Sequence, residues 1–234
     1  MIARSIREAM PDVHREGWPF IAATLALALI FAFVFQPIFW LLLILAGWMT
    51  IFFRNPVRVV PVAAGLIVSP ADGRVDPIVS AVPPAELELG DRPLTRVSVF
   101  MNVFDCHINR APVGGNVRRI VYRAGKFLSA DLDKASEDNE RNALLIETAS
   151  GHRVGVVQIA GLVARRIVCW TTEGTNVEAG QRIGMIRFGS RLDVYLPEGS
   201  TVAVSARQRA VSGETILALL PGASLTPPFS ARLD

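Results

Sequence analysis

Three short islands in the chain hold residue types able to carry chemistry. Residues 69–73 read Ser-Pro-Ala-Asp-Gly, residues 104–112 read Phe-Asp-Cys-His-Ile-Asn-Arg-Ala-Pro, and residues 187–191 read Arg-Phe-Gly-Ser-Arg. A serine hydroxyl becomes a nucleophile when a base takes its proton, and the base needs an acid to orient it. Ser190, His107, Asp72 and Asp105 supply those three residue types. Taken singly, each island has a plain structural explanation. Asp-Gly is first of all a turn, a lone histidine more often packs than reacts, and Gly-Ser after a strand is commonly a loop. His14 lies in the N-terminal tail and His152 in a Ser-Gly-His turn, so neither has comparable company.

The elements that must position these islands are strands. From Val59 onward, short β-branched runs alternate with Gly, Pro and Asp turns, at residues 65–68, 95–100, 117–122, 143–147, 154–159 and 192–196. That texture predicts a β-rich α+β domain over residues 54–234, with one helix or an acidic loop around residues 132–141. Residues 1–53 are different. After Glu16 no charged residue occurs until Arg54, and the apolar run is interrupted by Gln36-Pro37. One helix of that length would be about 55 Å long, far beyond a hydrocarbon core of about 30 Å. Proline disfavours helix at the residue before it and removes a donor, so a break belongs there. The expectation is an N-terminal hydrophobic helical hairpin that either spans as two short helices or dips into one leaflet. Arginines flank both ends, which puts both on the cytoplasmic side of the inner membrane. A cleaved signal peptide fits poorly, since the run is too long and no small-residue site closes it.

Composition narrows the remaining classes. The 234 residues carry a formal net charge of +3, and no Lys/Arg run is built for nucleic acid. Lys126 and Lys134 are the only lysines, so the basic residues are nearly all arginine, which suits bidentate binding of phosphate or carboxylate. Arg110, Arg187 and Arg191 are the substrate-binding candidates, with solvated surface charge as the plainer explanation. Cys106 and Cys169 form neither a disulfide framework nor a CxxC. No metal-ligand spacing is evident.

Considered together, the islands resemble the phosphatidylserine decarboxylase family in its short bacterial and archaeal branch. The resemblance extends over residues 52–220 and includes FFRNPVR, SPADG, DCHINRAP, NERN at residues 139–142 and GQRIGMIRFGSRLDVYLP. It implies decarboxylation of phosphatidylserine to phosphatidylethanolamine by a pyruvoyl group made from Ser190, with neither metal nor pyridoxal phosphate. Loss of CO2 leaves a carbanion that needs an electron sink, and a ketone condensed with the substrate amine provides one. In this family the cofactor arises when the Gly189–Ser190 bond is cleaved. The chain would then become a β chain (1–189) and an α chain (190–234), associated as a homodimer of processed protomers.

The resemblance places Asp72 and His107 in the cleavage and turnover machinery, with Asp105 the alternative orienting acid if residues 105–107 are extended. Long members of the family carry a second histidine where this chain has Arg110. Either His107 serves both cleavage and turnover, or Arg110 contributes electrostatically. The Gly-centred turns of the C-terminal third also occur in biotinyl and lipoyl carrier domains, which makes a membrane-tethered binding module the rival reading. That module needs a lysine at a hairpin tip, and the region has none.

Overall fold

The computed structural model describes residues 12–125, 139–161, 166–187, 190–224 and 230–233. The chain divides into two compact units, Met1–Val57 and Arg58–Asp234.

The first unit holds two helices, α1 (Trp18–Phe31) and α2 (Gln36–Phe52). Pro37 does not break a helix. It stands in the first turn of α2, where its missing N–H has no partner to lose, and the break falls at residues 32–35. The helices touch where α1 begins and α2 ends, with the Phe20 and Phe53 rings stacked at 5.6 Å and, one turn further in, Thr24 Oγ1 3.5 Å from Met49 Sδ. Large apolar side chains stay exposed on the remaining faces, among them Leu29, Ile30, Phe33, Leu41 and Ile44. With 14 and 17 residues, the helices measure about 21 and 25 Å. None among the described residues is long and apolar enough to cross a membrane.

The second unit is built of antiparallel strands. In chain order they are β1 (Val59–Val62), β2 (Leu66–Val68), β3 (Gly73–Val75), β4 (Val79–Ala81), β5 (Leu94–Met101) and β6 (Ile108–Arg110). Next come β7 (Gly115–Arg123), β8 (Arg141–Glu147), β9 (Arg153–Ala160), β10 (Ile167–Cys169), β11 (Asn176–Val177) and β12 (Arg182–Ile186). The last are β13 (Ser190–Tyr195), β14 (Thr201–Val202), β15 (Arg209–Ala210), β16 (Ile216–Leu219) and β17 (Ser230–Leu233). The principal sheet runs β11-β7-β8-β9-β13-β5-β3-β15, with β4 also on β5. Two three-stranded sheets, β10-β12-β6 and β14-β16-β2, and the pair β17-β1 complete it. Each apolar run expected to be a strand lies on one. The helix expected at residues 132–141 lies outside the described residues up to 138, and Arg141 opens β8.

The period of two along a strand sorts the central sheet into two faces. On one face Leu192 and Val194 pack with Val97, Val99, Met101, Leu144 and Val156 in the main core. On the other, Tyr195 packs with Leu87, Ala143, Leu145, Val157 and Ile159. Burying one apolar side chain of this size stabilises by about 1.5–3 kcal/mol, so the register that fills both faces is strongly specified.

A buried acid fixes the strand that carries the NERN segment. Glu86, in a short 3-10 turn (Ala85–Leu87), accepts from Arg141 Nε at 3.0 Å and pairs with Arg123 Nε at 2.7 Å. Burial alone would raise its carboxyl pKa; the Arg141 hydrogen bond, its own backbone and the two guanidinium charges together outweigh this and hold it below the usual 4.5. The folded protein therefore binds this proton less readily than the unfolded chain does. The stabilisation is fully present above the unfolded value and is lost as pH falls through the folded one. In urea unfolding, wild type is expected to exceed Glu86→Gln in stability at pH 7, with the gap closing as pH falls below 4.5. A gap that does not change with pH would remove the ion pair as its cause.

Candidate active site

The three islands are brought together by main-chain bonds. Segment 68–70 is held on two sides. Val68 N donates to Pro112 O at 2.8 Å and Arg110 N to Pro70 O at 2.9 Å, while Ser69 N donates to Thr215 O and Gly213 N to Ser69 O, both at 2.8 Å. Gly73 then lets β3 lie against β5, since a Cβ there would come 2.1 Å from Phe100 O. His107 lies at the entry to β6, which pairs with β12, and Ile186 N donates to His107 O at 3.3 Å. The third island thus leaves β12 beside His107 and enters β13 at Ser190. Phe188 and Gly189 lie outside the described residues.

Ser190 is fully buried at the first position of β13, with Met101 of β5 and Ala160 of β9 as its cross-strand neighbours. Its hydroxyl faces Met101 Sδ at 3.9 Å. Asn109 Nδ2 reaches the same sulfur at 3.7 Å. Behind Asn109 runs a chain of buried amides. Gln158 Nε2 donates to Asn109 Oδ1 at 2.8 Å, and Asn142 Nδ2 donates to Gln158 Oε1 at 2.9 Å. The NERN segment closes the far side, where Asn139 Nδ2 donates to Ala160 O at 2.8 Å and Ala160 N to Glu140 O at 2.9 Å. A thioether is a weak acceptor, so among the described residues nothing holds the buried Ser190 hydroxyl firmly.

The amide chain was not among the residues singled out from sequence. Gln158 had a signal, being the one polar residue in the run Val-Gly-Val-Val-Gln-Ile-Ala of residues 154–160. Removing it leaves two buried amides short of a partner, each costing about 1–3 kcal/mol. Gln158→Leu is therefore expected to lower the unfolding free energy by at least about 1 kcal/mol, read by urea denaturation. An unchanged midpoint and slope would show that the chain contributes nothing.

Residues 105–107 lie outside any strand and follow a tight turn at residues 102–105, so strand alternation does not govern them. Asp105 accepts from Asn102 N at 2.9 Å and pairs with Arg209, so its carboxylate stays with the turn. Its main-chain carbonyl, not its side chain, meets His107 Nδ1, at 2.9 Å, and the imidazole is fully buried. A carbonyl only accepts, so Nδ1 carries the proton in the neutral ring and Nε2 is left as the basic nitrogen.

Asp72 is held elsewhere. Among the described residues its carboxylate accepts from Arg58 Nη2 at 2.9 and 2.7 Å and from Ser212 N at 2.8 Å. It therefore latches the start of the second unit to the turn at residues 211–214. Arg110 is 1% exposed and donates from Nη1 to Gly180 O at 2.7 Å. Arg191 lies on the sheet face opposite Ser190, forked onto Asp193 at 2.8 and 3.1 Å. Arg187 alone of the three is partly exposed.

The chain is similar to known proteins. A model of the phosphatidylserine decarboxylase family matches residues 45–218. A phosphatidylserine decarboxylase proenzyme of Nitrobacter winogradskyi is 55% identical over 216 residues, which cover 92% of this chain and 87% of that protein.

Proposed function

Because the chain belongs to the phosphatidylserine decarboxylase family, we propose that it decarboxylates phosphatidylserine to phosphatidylethanolamine after cleaving itself between Gly189 and Ser190. The observation that carries this reading is the buried Ser190 hydroxyl, weakly held at the mouth of β13 beside the strand that His107 enters. Ser190 Oγ attacks the Gly189 carbonyl carbon as His107 takes the hydroxyl proton, and the amide becomes an ester. Loss of the Ser190 Cα proton then expels the Gly189 carboxylate. The dehydroalanine left behind takes up water and releases ammonia, leaving a pyruvoyl group at the head of residues 190–234.

That group would supply a ketone, and with it a sink for the electron pair left on the carbon when CO2 departs. The chain's own residues do the rest. His107 holds its tautomer through Asp105 O and hands a proton to the carbon that has lost CO2. Asp105 fixes the turn that offers this carbonyl, and Asp72 keeps residues 58 and 211–214 in place across the cleaved bond. Arg187, two residues before Gly189 and partly exposed, is the arginine best placed for the substrate's phosphate or carboxylate. The buried Arg110 and Arg191 serve the fold.

A lipid substrate keeps its acyl chains in the bilayer, and the exposed apolar faces of α1 and α2 suit burial in one leaflet of the inner membrane, on its cytoplasmic side. A homodimer of processed protomers rests on the family resemblance alone. Incubated with phosphatidylserine vesicles, the purified chain is expected to release CO2 and form phosphatidylethanolamine, and phenylhydrazine is expected to stop it by consuming the ketone. Full turnover after saturating phenylhydrazine would sink the cofactor assignment.

A further inference from the structure

At the end of the principal sheet where Ser190 begins β13, its neighbour Met101 ends β5, and the chain turns immediately outward. The turn at residues 102–105 is rigid. Asn102 N donates to Asp105 Oδ2 at 2.9 Å, Phe104 N to Asn102 Oδ1 at 2.8 Å, and Asp105 N to Asn102 O at 3.0 Å. Such a turn ordinarily presents polar side chains to water. This one presents Val103, 38% exposed, and Phe104, 67% exposed. A rigid two-residue apolar tip, next to the buried histidine of the site, calls for something to cover it.

The surroundings say what. Arg209 pairs through Nη2 with the buried Asp105 while its own side chain remains 63% exposed. Arg74, directly across from Arg209 in the β3–β15 pair and beside Phe100 of β5, is 59% exposed and leans on Asp76 at 3.4 Å. The two carboxylates face inward and the two guanidinium groups outward, so the tip is flanked by positive charge. An apolar point flanked by arginines matches the boundary between anionic headgroups and acyl chains.

We propose that Val103 and Phe104 insert into the surface of an anionic bilayer, with Arg74 and Arg209 on its phosphates, so that the Ser190 end of the sheet faces the lipid. This rests on the lipid-decarboxylase reading. The bonds that hold the turn are made by main-chain atoms and by the Asn102 and Asp105 side chains, while the Val103 and Phe104 side chains are exposed, so substitutions of these two side chains are expected to leave the chemistry intact.

The test compares two substrates with the self-processed enzyme. One is dihexanoyl phosphatidylserine below its micellar concentration. The other is long-chain phosphatidylserine in vesicles containing phosphatidylglycerol. Phe104→Ser is expected to process normally and to turn over the soluble substrate at the wild-type rate. Its kcat/KM on vesicles is expected to fall roughly tenfold, with Phe104→Leu restoring most of it and added salt weakening both. Equal loss on both substrates would overturn the proposal by making Phe104 part of the catalytic centre or its support. So would no loss on either, or a change in oligomeric mass without a vesicle-specific defect, which would mark the tip as a contact between copies. Wild type inactive on both substrates would instead refute the decarboxylase reading itself.

Discussion

Replacing Ser190 by alanine is expected to leave the chain in one piece and without decarboxylase activity. Wild type should run on a denaturing gel as two fragments, 189 and 45 of the 234 residues, or about 20 and 5 kDa of the 25.4 kDa total. The smaller should resist N-terminal sequencing, because a pyruvoyl group carries no amine. Alanine has no hydroxyl to attack the Gly189 carbonyl, so neither the ester nor the ketone can form. The substitution removes one buried oxygen whose hydrogen-bond partner among the described residues is a methionine sulfur, so the fold should be little disturbed. The uncleaved variant should give a far-ultraviolet circular dichroism spectrum close to that of the processed enzyme. A single intact chain that still decarboxylates would refute the origin of the cofactor.

His107→Ala is the second large effect. Losing a positioned acid–base group typically reduces turnover by 10²–10⁴-fold, and a drop of that order in kcat is expected on the processed fraction. Cleavage is expected to slow without stopping, since it occurs once per chain and even a slow step runs to completion. The buried imidazole also fills space, so His107→Gln is the informative partner. It keeps a donor toward Asp105 O but has no basic nitrogen, and it should be as inactive as alanine while folding better. Normal turnover in either variant would remove His107 from the chemistry.

Much of this arrangement was legible before any coordinates. The strands announced themselves because one residue in two must be apolar to fill a sheet face, and Leu192 and Val194 do so beside Val97 and Val99. Ser190, His107 and Asp72 stood out because their types in motif order matched a family's pattern. The side-chain partners did not. Alternation put Asp105 on the side of His107, whereas the Asn102–Asp105 turn reverses the carboxylate toward Arg209 and leaves a carbonyl facing the ring. Arg191 follows the serine directly, and because successive residues of a strand point to opposite faces its guanidinium meets Asp193 and not the Ser190 hydroxyl.

By itself, the order of residues determined the strand texture and the apolar N-terminal run, which are written in local pattern, and its motifs carried the family resemblance from which cleavage at Gly189–Ser190 is proposed. Only the tertiary structure decided which atoms meet. Asn142, Gln158 and Asn109 come from three strands 16 and 49 residues apart in sequence; register makes Asn142 and Gln158 cross-strand partners in the principal sheet, and Asn109 meets Gln158 from β6 of a second sheet. Asp72 finds Ser212 across 140 residues because the adjoining strands β3 and β15 pair, Gly73 opposite Ala210. Hydrogen bonds between side chains reach about 3 Å, while the sequence specifies such distances only through the packing of everything in between.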